Sequence, residues 1–96
     1  MTTRELIHEK RDEILALAAK HKAKHVRLFG SVVRGEDTAD SDVDFLVEFE
    51  PEASLFDHMD LMADLEVLLG RKVDVVSRGA VHWFIKDRVE AEATPV

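Results

Sequence analysis

Apolar residues recur along the chain at two different periods, which predict helices separated by short strands. The first helical stretch runs over residues 3–21, and Thr2 with Glu5 forms a capping-box pattern at its start. A second helix is predicted between Ser54, as its N-cap, and Gly70, with Met59 and Met62 as part of its buried stripe. A last helix is predicted to run to about Glu90, from the spacing of Val81, Phe84, Ile85 and Val89.

Three short runs rich in β-branched and aromatic residues predict strands, at residues 25–29, 43–49 and 71–76. In the second run, Phe45 and Val47 alternate with Asp44 and Leu46, so the two pairs lie on opposite faces. The order of elements predicts an α+β fold (an α/β sandwich) with a small mixed three-stranded sheet backed by about four helices. We expect one domain over residues 1–96, ending in a tail from about residue 91.

Composition limits what this domain can be. With 96 residues it has room for one modest core, and without cysteine any metal must be held by oxygen or imidazole. The net charge of −7 disfavours direct nucleic-acid binding but admits a nucleotide delivered with Mg²⁺, or a basic protein partner. No run approaches the roughly 20 apolar residues of a membrane span, and the first residues lack an apolar signal core, so we expect a cytoplasmic protein.

Two features of the sequence suit the chemistry of a metal-bound nucleotide. Gly30 and Ser31 form a turn after a strand, where free backbone N–H groups and the hydroxyl could bind phosphate. Asp42 and Asp44 lie two apart on a strand, so they share a face and can hold divalent cations. Asp74 lies in another apolar strand and can join them if the two strands are neighbours.

Each of these features also has a simpler interpretation. An isolated Asp-x-Asp is common in solvated loops, and Gly30 could serve only to make a tight turn. Arg34, a helical turn away, could neutralise phosphate or could simply pair with Asp37 or Asp40. The combination of the turn with three acids is more specific than any part of it.

Other candidates carry less information. The five histidines are scattered, and no pair has metal-ligand spacing with an acid. The basic run at residues 20–25 could bind phosphate, although cations at the end of a helix usually complement its dipole. Trp83 could lie in the core or at an interface with a partner.

The sequence Gly-Ser-x-x-Arg-Gly at residues 30–35, followed by Ser-Asp-x-Asp-Phe-Leu-Val at 41–47 and Val-Asp-Val-Val at 73–76, resembles the DNA polymerase beta-like nucleotidyltransferases. It is most similar to the minimal nucleotidyltransferases, the MntA-type antitoxins of HEPN toxins. The resemblance covers nearly the whole chain. It implies the minimal form of the nucleotidyltransferase fold.

This resemblance implies roles for particular residues. Gly30 and Ser31 would hold the phosphates of ATP, and the remaining nucleotide-binding candidates are Arg34 and Ser41. Asp42, Asp44 and Asp74 would be catalytic and would ligate two Mg²⁺ ions. The implied reaction transfers AMP from ATP to a tyrosine hydroxyl of a HEPN ribonuclease toxin, which would form a hetero-oligomer with the chain.

Two alternatives remain open from the sequence. The chain could neutralise the toxin by occlusion alone, without catalysis. It could also modify a small molecule, as aminoglycoside nucleotidyltransferases do, although this length leaves no room for a further acceptor-binding domain.

Overall fold

The structure is a computed structural model that describes residues 2–80 and 83–96, with only the backbone described at 83–86. Its α-helices are α1 (Thr3–Glu9), α2 (Arg11–Lys20), α3 (Ser31–Arg34), α4 (Leu55–Leu69) and α5 (Trp83–Glu92). Its strands are β1 (Ala23–Phe29), β2 (Val43–Phe49), β3 (Val73–Ser77) and β4 (Thr94–Pro95), and a 3₁₀ helix spans Arg78–Ala80. The predictions for the side chains of Val81, Trp83, Phe84 and Ile85 fall outside the described residues.

The strands form one mixed sheet in the order β3-β2-β1-β4. β2 runs antiparallel to β1 and parallel to β3, so the condition under which Asp74 could join Asp44 is met. The predicted tail is wrong, because α5 continues to Glu92 and β4 then adds a fourth strand at the edge of β1. A two-residue strand has too short a pattern to be seen in a sequence, and Pro95 is tolerated there because an edge strand needs fewer N–H donors.

The main core lies on one face of this sheet. Phe45 and Val47 of β2 pack there with Leu61 and Leu65 of α4, and all four side chains are at most 1% exposed. Asp44 and Asp74 alternate with core residues of their strands and therefore belong to the opposite face, and Asp42 directly precedes β2. In the described ranges, no helix combines the length and the apolar content that crossing a membrane requires.

The single helix predicted over residues 3–21 is divided into two. The capping box of Thr2 and Glu5 is present, but α1 ends at Lys10, whose φ of −97° and ψ of 15° break the helix before α2 begins. Ile7 and Ile14 are both buried on either side of this break. All residues between them are polar or charged, so the hydrophobic pattern contains nothing that could mark a bend.

Helix α4 begins and ends where predicted, but some of the apolar residues predicted to be buried on it are exposed. Ser54 caps the N-terminus with Asp57, and Gly70 adopts the left-handed conformation at the C-terminus. Met59, predicted to fill the core, is 51% exposed, and Leu55 is 72% exposed. The reason is that α4 has more apolar residues than its buried face can hold, and periodicity alone does not rank them.

The basic run at residues 20–25 is not simply a solvated helix end. His21 is buried, and its Nε2 lies 2.7 Å from Oδ2 of Asp64, so it joins the end of α2 to α4.

Strand β1 starts at Ala23 rather than at His25, and the pairing of β1 with β2 is irregular between Lys24 and Arg27.

Candidate active site

The carboxylates of the site are positioned by the pairing of β2 with β3. Asp44 lies directly opposite Asp74 in this parallel pair, with the backbones about 4.8 Å apart. Asp42 precedes β2 and is exposed, as is Asp74, whereas Asp44 is half-buried. The sheet therefore brings all three predicted acids to one end of neighbouring strands, on the face opposite the main core.

The Gly30 turn lies against Asp44. Phe29, the last residue of β1, pairs with Asp44 across the sheet, so the turn begins beside this carboxylate. A Cβ atom placed on Gly30 would be 2.3 Å from Oδ2 of Asp44. Gly30 also has a φ of 80° and a ψ of −154°, a combination adopted essentially by glycine alone. The structure thus needs glycine here for both space and backbone conformation.

The surroundings of Asp44 disfavour its charged form. Burial, together with the negative charges of Asp74 and Asp42, raises the pKa of Asp44 from 3.8 to about 6. The positive charge of Arg34 opposes this rise, and the charge of Glu92 adds to it. Among the described residues, no hydrogen bond or ion pair compensates the carboxylates of Asp42, Asp44 or Asp74.

The donor set fits a hard divalent cation. Three carboxylates supply the oxygen ligands that Mg²⁺ prefers, and a cation would offset the burial and the neighbouring negative charges that raise the pKa of Asp44. In the described part of the chain, however, no three acidic or histidine side chains already stand close enough together to hold an ion. Asp42 and Asp74 are exposed, so their side chains have room to rotate toward an ion.

The other predicted nucleotide-binding residues differ in their availability. The Ser31 hydroxyl has no hydrogen-bond partner among the described residues, and α3 starts at this residue. The Ser41 hydroxyl is already used, because it accepts a hydrogen bond from the N–H of Thr38 at 2.9 Å. Ser41 thus shapes its own loop, a role that the sequence did not indicate.

Arg34 is held by carboxylates other than those expected. Its guanidinium donates to Glu36 at 3.0 Å and to Glu92 at 2.5 Å, and these bonds raise the pKa of Arg34. The predicted alternative partners, Asp37 and Asp40, are not used. Glu92 was missed because it was assigned to a tail, and after Asp74 and Asp42 it is a third acidic side chain whose charge reaches Asp44.

Asp44 on β2, Asp42 just before that strand, Asp74 on the parallel neighbour and the glycine-serine turn beside Asp44 form the combination that the sequence resemblance implied for a nucleotidyltransferase. The sequence profile of the nucleotidyltransferase domain matches residues 11–96. The chain therefore belongs to the nucleotidyltransferase domain family, and it is a nucleotidyltransferase enzyme.

Relatives place the chain among the minimal, MntA-type members. Protein adenylyltransferase MntA of Thermococcus cleftensis is 40% identical over 93 residues, covering 88% of this chain and 94% of the relative. MJ0435 of Methanocaldococcus jannaschii, whose name as a protein adenylyltransferase is provisional, is 40% identical over 90 residues, covering 94% and 97%.

Solved structures agree with this placement. A structure provisionally described as a minimal nucleotidyltransferase has a TM-score of 0.89 and 44% identity, covering 100% of this chain and 97% of that one. A toxin–antitoxin structure with AMP-PNP has a TM-score of 0.75 and 22% identity, covering 88% and 69%, and bears on the fold alone. The minimal α+β nucleotidyltransferase fold is thus confirmed, with four strands and five α-helices among the described residues.

Proposed function

We propose that the chain is a cytoplasmic protein adenylyltransferase that acts as an antitoxin. In this proposal it uses ATP and Mg²⁺ to transfer AMP to a tyrosine hydroxyl of a HEPN ribonuclease toxin, which loses its activity. The observation that carries the proposal is the half-buried carboxylate of Asp44, which has no hydrogen bond or ion pair among the described residues and lies against Gly30. The protein adenylyltransferase name of the MntA relative supports the same chemistry.

The proposed reaction is an in-line displacement at the α-phosphorus of ATP. The toxin hydroxyl oxygen forms a bond to this phosphorus while the bond to the bridging oxygen of the β-phosphate breaks, and pyrophosphate leaves. Asp74 is exposed beside Asp44, so its carboxylate can accept the proton from the attacking hydroxyl. The Ser31 hydroxyl and the backbone of the Gly30 turn orient the β- and γ-phosphates.

Asp42, Asp44 and Asp74 would hold the Mg²⁺ ions, which would supply charge neutralisation at the phosphates when bound. Arg34 lies within electrostatic reach of Asp44. It would add positive charge at the phosphates after exchanging a bond to Glu36 or Glu92 for one to the nucleotide. Until the nucleotide binds, these two glutamates hold the guanidinium of Arg34 in place.

A transfer assay tests this function. Purified chain is incubated with Mg²⁺, ATP labelled on the α-phosphate and the product of the neighbouring gene, tested as the HEPN toxin. We expect the wild type to label the toxin and to abolish its ribonuclease activity. The variant Asp42→Asn is expected to do neither at equal concentration, because it lacks one carboxylate of the proposed metal site.

Other outcomes would identify a different function. If no label is transferred, and the wild type and Asp42→Asn neutralise the toxin equally, the chain acts by occlusion. If the toxin is neither labelled nor neutralised, while a small hydroxylated acceptor such as an aminoglycoside takes the label, the chain is a small-molecule nucleotidyltransferase.

The outer face of α4 supports a protein partner. Leu55, Phe56, Met59 and Val67 form an apolar surface on this helix and are between 51% and 86% exposed. We refer to these four residues as the α4 patch. Exposed apolar groups of this kind mark interaction sites. The helix itself carries four acidic residues and no lysine or arginine, so the complementary surface is apolar with basic residues around it.

The α4 patch leads to a second prediction. The double variant Phe56→Ser and Met59→Ser should weaken binding of the toxin about 10-fold or more, because each side chain is an apolar anchor. Isothermal titration of the toxin into each variant measures this effect. Since α4 lies on the face opposite the carboxylates, AMP transfer at saturating toxin should change less than twofold.

Ala16→Ser and Ala19→Ser on α2 provide the matched control, because both residues are exposed and lie outside the patch. Unchanged toxin affinity in the α4 double variant would show that the toxin binds elsewhere.

A further inference from the structure

The loop that leads into Asp42 is closed by a compact turn. The N–H of Ser41 donates to the carbonyl oxygen of Thr38 at 3.1 Å, and the N–H of Thr38 donates to the Ser41 hydroxyl at 2.9 Å. The peptide carbonyl of Ser41 is part of the same planar unit as the N–H of Asp42. The orientation of this carbonyl therefore sets the direction in which the chain delivers Asp42.

One arginine holds this turn at both ends. Nη2 of Arg71 donates to the carbonyl oxygens of Thr38 and Ser41, each at 2.9 Å. Nη1 of the same guanidinium donates to the Thr3 hydroxyl at 2.8 Å. That hydroxyl donates in turn to Oδ2 of Asp37 at 2.7 Å, so the loop is tied at a third point.

Arg71 is itself attached to a rigid part of the molecule. It lies between the end of α4 and the start of β3, three residues before Asp74. The next residue, Lys72, accepts a hydrogen bond from the N–H of Val43 at 2.9 Å. Arg71 thus connects the loop that carries Asp42 to the two strands that carry Asp44 and Asp74.

Electrostatics explains why the loop needs such a constraint. Asp42 is exposed, and its negative charge and that of Asp44 repel each other. A free loop would relieve this repulsion by moving Asp42 away. Two charge-assisted hydrogen bonds from Nη2 and a third from Nη1 to Thr3 oppose that movement, and the single nitrogen of a lysine cannot take both positions.

We propose that Arg71 is a positioning residue that holds the turn of residues 38–41 so that Asp42 stays beside Asp44 and Asp74. The inference rests on the proposed function, in which these carboxylates bind the metal. Thr3 supports Arg71 from α1, which lies outside the part of the chain matched by the family profile.

The test measures metal binding and loop protection directly. Arg71→Lys keeps the charge and is expected to fold. Its Kd for Mn²⁺, used as a probe in place of Mg²⁺, should rise about 10-fold, which is the usual effect of changing a residue that orients a metal ligand. Amide hydrogen exchange at residues 38–42 should accelerate about 10-fold in the same variant. In the transfer assay, the Mg²⁺ concentration for half-maximal rate should rise, with kcat recovering at high Mg²⁺.

Two further variants separate positioning from a general structural role. Thr3→Val removes the hydroxyl that links Arg71 to Asp37 but keeps both bonds from Nη2 to the turn, so it should give the same changes at about threefold. Arg11→Lys changes an exposed arginine on α2, remote from the loop, and should alter neither Mn²⁺ binding nor exchange. A purely structural role for Arg71 would lower thermal stability while leaving the Mn²⁺ affinity of the folded protein unchanged, and that result would overturn the inference.

The wild type distinguishes failure of the inference from failure of the proposed function. If it binds Mn²⁺ and Arg71→Lys binds equally well with equal exchange, Arg71 has no positioning role and the proposed site stands. If the wild type itself binds no Mn²⁺, the proposed site fails, and the positioning role fails with it.

Discussion

Asp44→Asn is expected to abolish AMP transfer while making the metal-free protein more stable. Loss of this carboxylate removes a ligand at the centre of the proposed metal site, and a loss of about 4 kcal/mol in transition-state stabilisation corresponds to roughly a 10³-fold lower rate. The same change removes a charge that the folded protein disfavours. Activity and stability should therefore move in opposite directions.

The pH dependence follows from the raised pKa of Asp44. The pKa of Asp44 is about 6 in the folded protein, against a reference value of 3.8 for the unfolded chain. Ionisation of Asp44 therefore stabilises the unfolded chain more than the folded one. As a result, the stability of the wild type falls as the pH rises between these two values. Asn does not ionise. The variant should therefore match the wild type near pH 4 and exceed it at neutral pH. Allowing for solvent screening at this half-buried site, a gain of about 1 kcal/mol, or about 4–8 °C in Tm, is expected.

Thermal unfolding in EDTA from pH 4 to 8 checks the stability effect, and the labelled-ATP assay checks the rate. Addition of Mg²⁺ should raise the Tm of the wild type and leave that of Asp44→Asn unchanged. A variant that is less stable than the wild type at every pH would contradict the strained, uncompensated state of Asp44. Retained transfer would contradict its role as a metal ligand.

The sequence predicts the parts of this site that depend on local patterns. β2 begins and ends where alternation predicted, and α4 begins and ends at the predicted caps, Ser54 and Gly70. From the sequence, Asp74 could join Asp44 only if β2 and β3 were neighbours, and nothing in the sequence showed that they are. The structure pairs these two strands in parallel, with Asp44 opposite Asp74. Local patterns thus indicate which residues could form a site, and the sheet register decides which of them meet.

Contacts between distant segments were the parts that could not be predicted. Arg71 reaches Thr3 across 68 positions, and Arg34 reaches Glu92 across 58 positions. Neither arginine lies in a pattern of residues that marks such a distant partner. The exposed α4 patch could not be predicted either. Its residues fit the helical period as well as the buried residues of α4 do, so periodicity did not distinguish the two sets.

Gly30→Ala is expected to damage both stability and activity, in contrast to Asp44→Asn. The backbone conformation at Gly30 costs about 1–3 kcal/mol for any other residue. The new methyl group would also lie 2.3 Å from Oδ2 of Asp44, so the carboxylate must rotate away. We expect Tm to fall by about 5–20 °C and the transfer rate to fall roughly 10²-fold, the effect of misplacing a reacting group by about 1 Å.

Gly70→Ala separates the two causes of this damage. Gly70 also has a positive φ, 65°, but a Cβ there would meet nothing within 4 Å. It should lose about 1 kcal/mol of stability and retain full activity. Thermal unfolding and the transfer assay compare the two variants at a temperature where both are folded. If folded Gly30→Ala transferred AMP as fast as folded Gly70→Ala, contact between the turn and Asp44 would be irrelevant to catalysis. The expected rate difference would instead show that Gly30 is required because the phosphate-binding turn and the metal-binding carboxylate share one small space.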